Sequence, residues 1–124
     1  MIVGIGTDLL QIERIDKALK RTPKLAERIL TPVELQQFLK SSQGSRFLAK
    51  RFAAKEAVVK ALGTGIGNGV GWQHIEISRD ELGKPLVTLN GGALLRADSL
   101  GVKSSFLSYS DERDYIVAMV VLER

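Results

Sequence analysis

The sequence contains no cysteine and only one histidine, His74. The lack of cysteine excludes disulfide bonds, thiolate catalysis and cysteine-based zinc sites. A lone histidine is usually structural, so a transition-metal site would have too few ligands. Any metal should therefore be a hard cation held by carboxylates. Magnesium fits this description, because it takes one or two protein carboxylates and keeps waters and substrate phosphates.

Long apolar runs are also absent. No stretch approaches the roughly 20 residues needed to cross a bilayer, and no basic segment leads into an apolar one at the N-terminus. We therefore expect a cytoplasmic protein without a membrane span or signal peptide. Its 124 residues leave room for one domain, residues 1–124.

Positive charge is concentrated in one part of the chain. Residues 13–60 hold twelve Lys or Arg against five acids, whereas residues 61–124 hold six against eight. Such a field attracts polyanions, which include nucleic acid, phosphorylated ligands and acidic proteins. A small basic nucleic-acid-binding module is therefore an alternative function. It is disfavoured because the basic residues lack interleaved aromatics, and Phe47 and Phe52 both look like core residues.

The hydrophobic pattern predicts helices first and hairpins later. Residues 2–6 read as a short strand, and Thr7 and Asp8 as possible caps of a helix that begins between residues 9 and 12. Gly63 is placed to terminate a long helix. Further helices are expected at 32–40, 46–62 and 93–100, and strands at 75–78, 85–89, 104–109 and 115–122. This order predicts a single α+β domain with a largely antiparallel sheet and packed helices.

A glycine-rich segment follows the long helix, with five glycines at alternate positions from Gly63 to Gly71. It contains neither a P-loop motif nor G-x-G-x-x-G, and the dipole at a helix C-terminus disfavours a phosphate. A phosphate bound there would need fixed cations, of which Lys60 is the nearest. A flexible connector is the alternative, although five glycines cost more folding entropy than a connector requires.

Two acidic residues have ordinary structural explanations when each is taken alone. Glu56 and Lys60 stand four residues apart on one helical face, as in a common surface ion pair. Asp8 could be a helix cap, and capping and metal binding could coexist on its two oxygens.

Three segments together resemble the holo-acyl-carrier-protein synthases, the small bacterial members of the 4′-phosphopantetheinyl transferase superfamily. They are Gly4–Asp8, Arg51–Gly65, and Ile75–Ile77 with Gly83–Pro85. Their order and spacing agree with that family, and the similarity runs over essentially the whole chain. The resemblance implies the 4′-phosphopantetheinyl transferase fold and a homotrimer with active sites at its subunit interfaces.

The resemblance also implies a reaction, in which a serine of apo-acyl carrier protein attacks the β-phosphate of coenzyme A. Asp8 and Glu56 would bind Mg²⁺, and Glu56 and Lys60 would be catalytic. The residues expected to contact coenzyme A are Lys60, Gly63, Thr64, Gly65, Gly83, Lys84 and Pro85. The basic residues expected to dock the acidic carrier protein are Arg14, Lys17, Lys20 and Arg21, with Lys24 and Arg28 as further candidates.

One position departs from the family pattern. Asp111 stands where many members carry a histidine that is proposed to help deprotonate the serine. A free aspartate has a pKa near ~3.9 and is a poor base at neutral pH. Either Asp111 is tuned to act as the catalytic base, or an ordered or magnesium-bound water accepts the proton; the second option ranks slightly ahead.

Overall fold

The computed structural model describes residues 1–124. Five strands and five helices follow one another, together with a short 3₁₀ turn at Trp72–His74. In chain order they are β1 (Ile2–Gln11), α1 (Ile12–Arg21), α2 (Leu25–Ile29), α3 (Pro32–Lys40), α4 (Gly44–Leu62), β2 (Ile75–Arg79), β3 (Pro85–Leu89), α5 (Gly91–Ser99), β4 (Ser104–Asp111) and β5 (Tyr115–Glu123). The α+β prediction is confirmed.

The strands form two antiparallel sheets instead of one. Three strands pair in the order β1-β5-β4, and β2 and β3 form a separate hairpin sheet. The long helix α4 packs across β1 and β5 and forms the centre of the core. None of the helices is both long and apolar enough to span a membrane.

The first strand is longer than the sequence predicted. β1 pairs with β5 along its whole length, from Ile2 opposite Glu123 to Gln11 opposite Tyr115. Asp8 therefore lies inside the strand, and the prediction that it caps a helix is wrong. The cap position of α1 is Gln11, whose side chain makes no capping hydrogen bond. Pairing with β5 outweighs the local capping preference.

Close contact between β1 and α4 explains two glycines of the first motif. A Cβ on Gly4 would overlap the carbonyl of Ala61, and one on Gly6 would overlap the carbonyl of Ala57. Only glycine lets the strand backbone lie directly against the helix at these points. The same contact brings the end of β1 beside the last turns of α4.

The boundaries of α3 and α4 follow local sequence chemistry. The side chains of Thr31 and Glu34 form a capping box at the start of α3, the helix expected at 32–40. Helix α4 ends at Gly63, which adopts the left-handed conformation with φ 76°. Phe47 and Phe52, expected in the core, are only partly buried and pack against it.

A buried cluster of charges anchors the face of α4 that points away from β1. The ammonium of Lys55, which has no exposed surface, donates to Glu34 Oε1 at 2.6 Å and to the carbonyls of Ile29 at 2.7 Å and Trp72 at 3.2 Å. Burial lowers the pKa of Lys55, against the opposing effect of Glu34. This cluster and the glycine contacts hold α4 from two sides.

Candidate functional site

The centre of the site is a cavity of about 450 Å³ between β1, α1 and α4. Asp8 and Glu56 both line it. Asp8 shares a row of the sheet with the buried Ala118, so its side chain points towards α4. Two carboxylates that are distant in sequence are thereby brought to one place.

The two carboxylates influence each other. The pKa of Glu56 is raised above its ordinary value, first by burial and then by the negative charge of Asp8, while Lys60 acts in the opposite direction. The ammonium of Lys60 lies 3.2 Å from Asp8 Oδ1 and donates to the carbonyl of Thr7 at 2.9 Å. Lys60 therefore pairs with Asp8, and the expected Glu56–Lys60 ion pair is not among the salt bridges.

The chemistry of this pair fits a hard divalent cation. Two carboxylates face one cavity, burial and then the charge of Asp8 raise the pKa of Glu56, and a cationic ammonium already binds Asp8. No group of three or more His, Cys, Asp or Glu side chains is arranged to hold a metal ion. Two carboxylates suit magnesium, which fills its remaining positions with waters and substrate phosphates.

The basic residues of α1 divide into two groups. Arg14 and Arg21 line the same cavity as the carboxylates. Lys17 and Lys20 instead form exposed ion pairs along the helix, with Glu13 at 3.1 Å and Asp16 at 3.0 Å. The first group therefore lies beside the candidate site, and the second faces solvent.

The apolar wall of the cavity includes Phe52, which sequence reasoning had assigned to the core. Its ring also packs on Trp72, with centroids 5.1 Å apart. Phe52 stands one helical turn before Glu56, so helical spacing could have placed it at the site. The other apolar residues that line the cavity are Leu9, Leu10, Ile15, Ala18 and Leu25.

The glycine-rich segment forms turns that are held by backbone hydrogen bonds. The backbone N–H groups of Thr64 and Gly65 both donate to the carbonyl of Val59 at 3.2 Å, and Gly67 and Val70 form a reciprocal pair at 2.9 Å. Four of its glycines, Gly63, Gly65, Gly67 and Gly69, have positive φ. The segment begins one turn after Lys60, so the expected phosphate-binding residues of α4 and this loop are adjacent.

The other residues expected to contact coenzyme A lie on the hairpin sheet. Gly83, Lys84 and Pro85 form the turn from β2 into β3, where Asp80 accepts hydrogen bonds from the backbone of Leu82 and Lys84 at 2.9 Å. None of the three lines the cavity with Asp8 and Glu56.

Asp111 lies at the end of β4 and is bound by cations from the start of α4. Its carboxylate pairs with Arg46, and with Lys50 at 3.5 Å. Arg46 also donates to the carbonyls of Glu112 and Arg113, at 2.9 and 2.7 Å. Asp8 on β1 and Asp111 on β4 are two inter-strand spacings apart, because β5 lies between these strands, and they are offset by two residues along the strand direction. These offsets correspond to roughly 12 Å between their Cα atoms.

A larger open cleft of about 770 Å³ lies elsewhere, at the N-terminal end of α4 and the β4–β5 turn. It is lined mainly by polar side chains, and none of the residues expected to be functional contributes to it. The smaller cavity with its two carboxylates is therefore the better candidate for the site.

Comparisons with known proteins place the chain in one family. The family model described as the 4′-phosphopantetheinyl transferase superfamily matches residues 4–120. A holo-acyl-carrier-protein synthase of Vibrio cholerae is 58% identical, with 100% of this chain and 99% of that protein covered. The crystal structure of such a synthase from Neisseria meningitidis matches with a TM-score of 0.92 and 44% identity over 100% of both chains. That of the Helicobacter pylori synthase in complex with coenzyme A has a TM-score of 0.83 and 35% identity, covering 96% of this chain and 99% of that one.

Proposed function

Because this chain belongs to the 4′-phosphopantetheinyl transferase superfamily, we infer that it transfers the 4′-phosphopantetheine arm of coenzyme A to a serine of apo-acyl carrier protein. The products are holo-acyl carrier protein and adenosine 3′,5′-bisphosphate. The observation that carries this conclusion is the meeting of Asp8, Glu56 and Lys60 beside a folded glycine loop. No observation favours the nucleic-acid-binding alternative.

Asp8 and Glu56 are the residues that would hold Mg²⁺. When bound, the ion supplies Lewis-acid stabilisation of the charge that develops on the diphosphate oxygens. The support for this assignment is the shared cavity and the raised pKa of Glu56, which is due first to burial and then to the negative charge of Asp8. Two protein carboxylates leave coordination positions for the phosphates.

Lys60 would bind the diphosphate as a point charge. Its side chain is half exposed, and its ammonium is held by Asp8, which lines the cavity, and by the Thr7 carbonyl. A swing about its flexible side chain would carry it from Asp8 to a neighbouring phosphate. Gly63, Thr64 and Gly65 begin one helical turn after Lys60, and the lack of a side chain at two of these three positions would let the ligand approach the backbone.

The reaction requires that the serine hydroxyl oxygen bond to the β-phosphorus, that the bond from this phosphorus to the bridging oxygen break, and that the serine proton leave. Asp111 is poorly placed to take this proton within one chain, because its carboxylate is bound by Arg46 and Lys50 and lies two strands from Asp8. We propose that an ordered water accepts the proton. The role we assign to Asp111 is to fix the β4–β5 turn through Arg46.

Arg14 and Arg21 are proposed to dock the carrier protein, because both lie at the rim of the cavity. Carrier proteins present acidic helices, and a basic surface raises the encounter rate with such a partner. Lys17 and Lys20 would contribute to the general field, since each is already paired with an acid on its own helix.

A homotrimer is proposed for the assembly, with Gly83, Lys84 and Pro85 of one subunit bordering the nucleotide at the site of a neighbour. These three residues lie outside the cavity of their own chain. The outer face of the three-stranded sheet also exposes several large apolar side chains, as buried interfaces between subunits require.

The cytoplasm is the proposed location of the protein.

Mass spectrometry of the carrier protein tests the function. The chain is incubated with coenzyme A, Mg²⁺ and apo-acyl carrier protein, and the carrier should gain the mass of one phosphopantetheine arm. Glu56→Gln should abolish this gain, and so should chelation of the metal. Asp98→Asn removes an exposed carboxylate of α5 and serves as the matched control with unchanged turnover. A carrier of unaltered mass after incubation with the unmodified enzyme would refute the proposal.

A further inference from the structure

Arg96 of α5 is a cation to which no sequence motif drew attention. Its Nε donates to the carbonyl of Leu62 at 2.9 Å, at the C-terminal end of α4. The side chain is partly buried, and this bond is the only hydrogen bond that its guanidinium makes. No carboxylate lies within ion-pair distance. The Nη groups are therefore without a protein partner.

The guanidinium lies beside the first residue of the glycine loop. Its Nη2 is 3.5 Å from the position that a Cβ on Gly63 would occupy. Gly63 and the two residues after it are those proposed to approach coenzyme A most closely. The Arg96 guanidinium, with its free Nη donors, therefore lies where the phosphates of coenzyme A are expected to bind.

The position of Arg96 is fixed by contacts between α5 and the loop. Gly92, in the first turn of α5, packs so closely on the carbonyl of Gly69 that a Cβ would overlap it. Helix α5 thus touches the glycine loop at its far end through Gly92 and at its near end through Arg96. Arginine held in this way loses little conformational entropy when it binds an anion.

The electrostatics of the α4 terminus call for such a cation. The last carbonyls of a helix carry partial negative charge, which repels a phosphate. Arg96 satisfies one of these carbonyls and places a full positive charge in front of it. Lys60, one turn earlier, supplies a second positive charge, although its ammonium points to Asp8.

We propose that Arg96 is a further coenzyme A-binding residue, whose Nη groups bind one of the phosphates of the ligand. This inference rests on the proposed function. Coenzyme A carries a diphosphate and a 3′-phosphate, and a guanidinium recognises either group through paired N–H donors. Arg96 extends the site from α4 and the loop to α5.

The test measures the affinity for coenzyme A by isothermal titration calorimetry, with the full-length protein and Mg²⁺ and without carrier protein. Arg96→Gln should weaken binding about tenfold or more, as expected when a charge-assisted hydrogen bond is lost. Arg96→Lys retains the charge without the paired donors and should give a smaller loss. Lys103→Gln, which removes an exposed positive charge just after α5, is the matched control and should bind as the unmodified protein does.

Comparing coenzyme A with 3′-dephospho-coenzyme A identifies which phosphate Arg96 binds. If Arg96 binds the 3′-phosphate, Arg96→Gln should weaken coenzyme A and leave 3′-dephospho-coenzyme A unchanged; if it binds the diphosphate, both should weaken equally. Urea unfolding of the same variants separates binding from a capping role. A lower unfolding free energy with unchanged affinity for both ligands in Arg96→Gln and Arg96→Lys would overturn the inference. Failure of the unmodified protein to bind coenzyme A would instead refute the proposed function.

Discussion

At the scale of single residues, the carboxyl group of Glu56 has a property that connects binding with stability. Its pKa is raised in the folded protein by burial and by Asp8. The folded state therefore holds the proton of Glu56 at pH values where the unfolded chain has already released it. Stability consequently falls as pH rises from below the ordinary carboxyl pKa of 4.5 through the raised pKa of the folded state.

Glu56→Gln should remove this loss. In metal-free buffer we expect the variant to be more stable than the unmodified protein at neutral pH, and the difference to vanish at about pH 4, where the unfolded carboxyl is protonated as well. Thermal unfolding followed by circular dichroism across this range measures the effect. Asp98→Asn, which removes an exposed carboxylate of α5, is the control and should not show it. A variant less stable than its parent at neutral pH would contradict the assignment.

At the scale of elements, helix α4 carries the site because it is held from two sides. Gly4 and Gly6 let β1 lie against the helix backbone, and Lys55 ties the other side to Glu34 and two carbonyls. Lys55 and Glu56 are neighbours in sequence and point in different directions. One residue fixes the helix, and the next reaches the cavity.

Lys55→Met should cost about 3–5 kcal/mol of unfolding free energy, because Glu34 would remain buried as a charge without its main partner. Adding Glu34→Gln should recover part of this loss, since the remaining group is then neutral and its single oxygen can still accept the hydrogen bond from the backbone N–H of either Thr31 or Ile77. Urea unfolding of the two single variants and the double variant gives the coupling between them. Strictly additive losses would show that the ion pair is not the cause.

The same elements explain how far sequence reasoning reaches. The capping box of Thr31 and Glu34 and the stop at Gly63 were predictable, because both depend on residues within one turn of each other. The location of Asp8 inside a strand was not, because it depends on pairing with a strand more than a hundred residues later. The ion pair between Lys60 and Asp8 was not predictable either, because it depends on the packing of α4 against β1.

Arg96 illustrates a second limit of local patterns. Its importance depends on the end of a different helix and on a loop that packs against its own, and no spacing rule connects Arg96 with Gly63. The family resemblance identified the residues that lie in recognisable segments. Arg96 lies outside those segments, and only its distances to Leu62 and Gly63 in the structure connect it with the site.

At the scale of the whole molecule, the sheet β1-β5-β4 has one face covered by α4, whereas the opposite face is largely exposed, with the Lys84 ammonium over the Phe106 ring at its β4 edge. The outward positions of all three strands carry large apolar side chains that are 38–66% exposed: Ile5, Leu9, Phe106, Tyr115, Val117 and Met119. Contiguous apolar surface of this kind on a small protein indicates a contact with another molecule. A second and third copy of the chain are the occupants we propose.

Val117→Asp tests this assembly, because Val117 lies on the central strand of the exposed face and its substitution would bury a charge at any interface formed there. We expect sedimentation to show a trimer for the unmodified chain and a monomer for the variant. The variant should also lose transferase activity if, as we propose, the residues at the β2–β3 turn act at the site of a neighbour. Leu39→Asp, at an exposed leucine of α3 away from this sheet, should remain trimeric and active. Circular dichroism confirms that each variant is folded, and a fully active monomer would show that the site is complete within one chain.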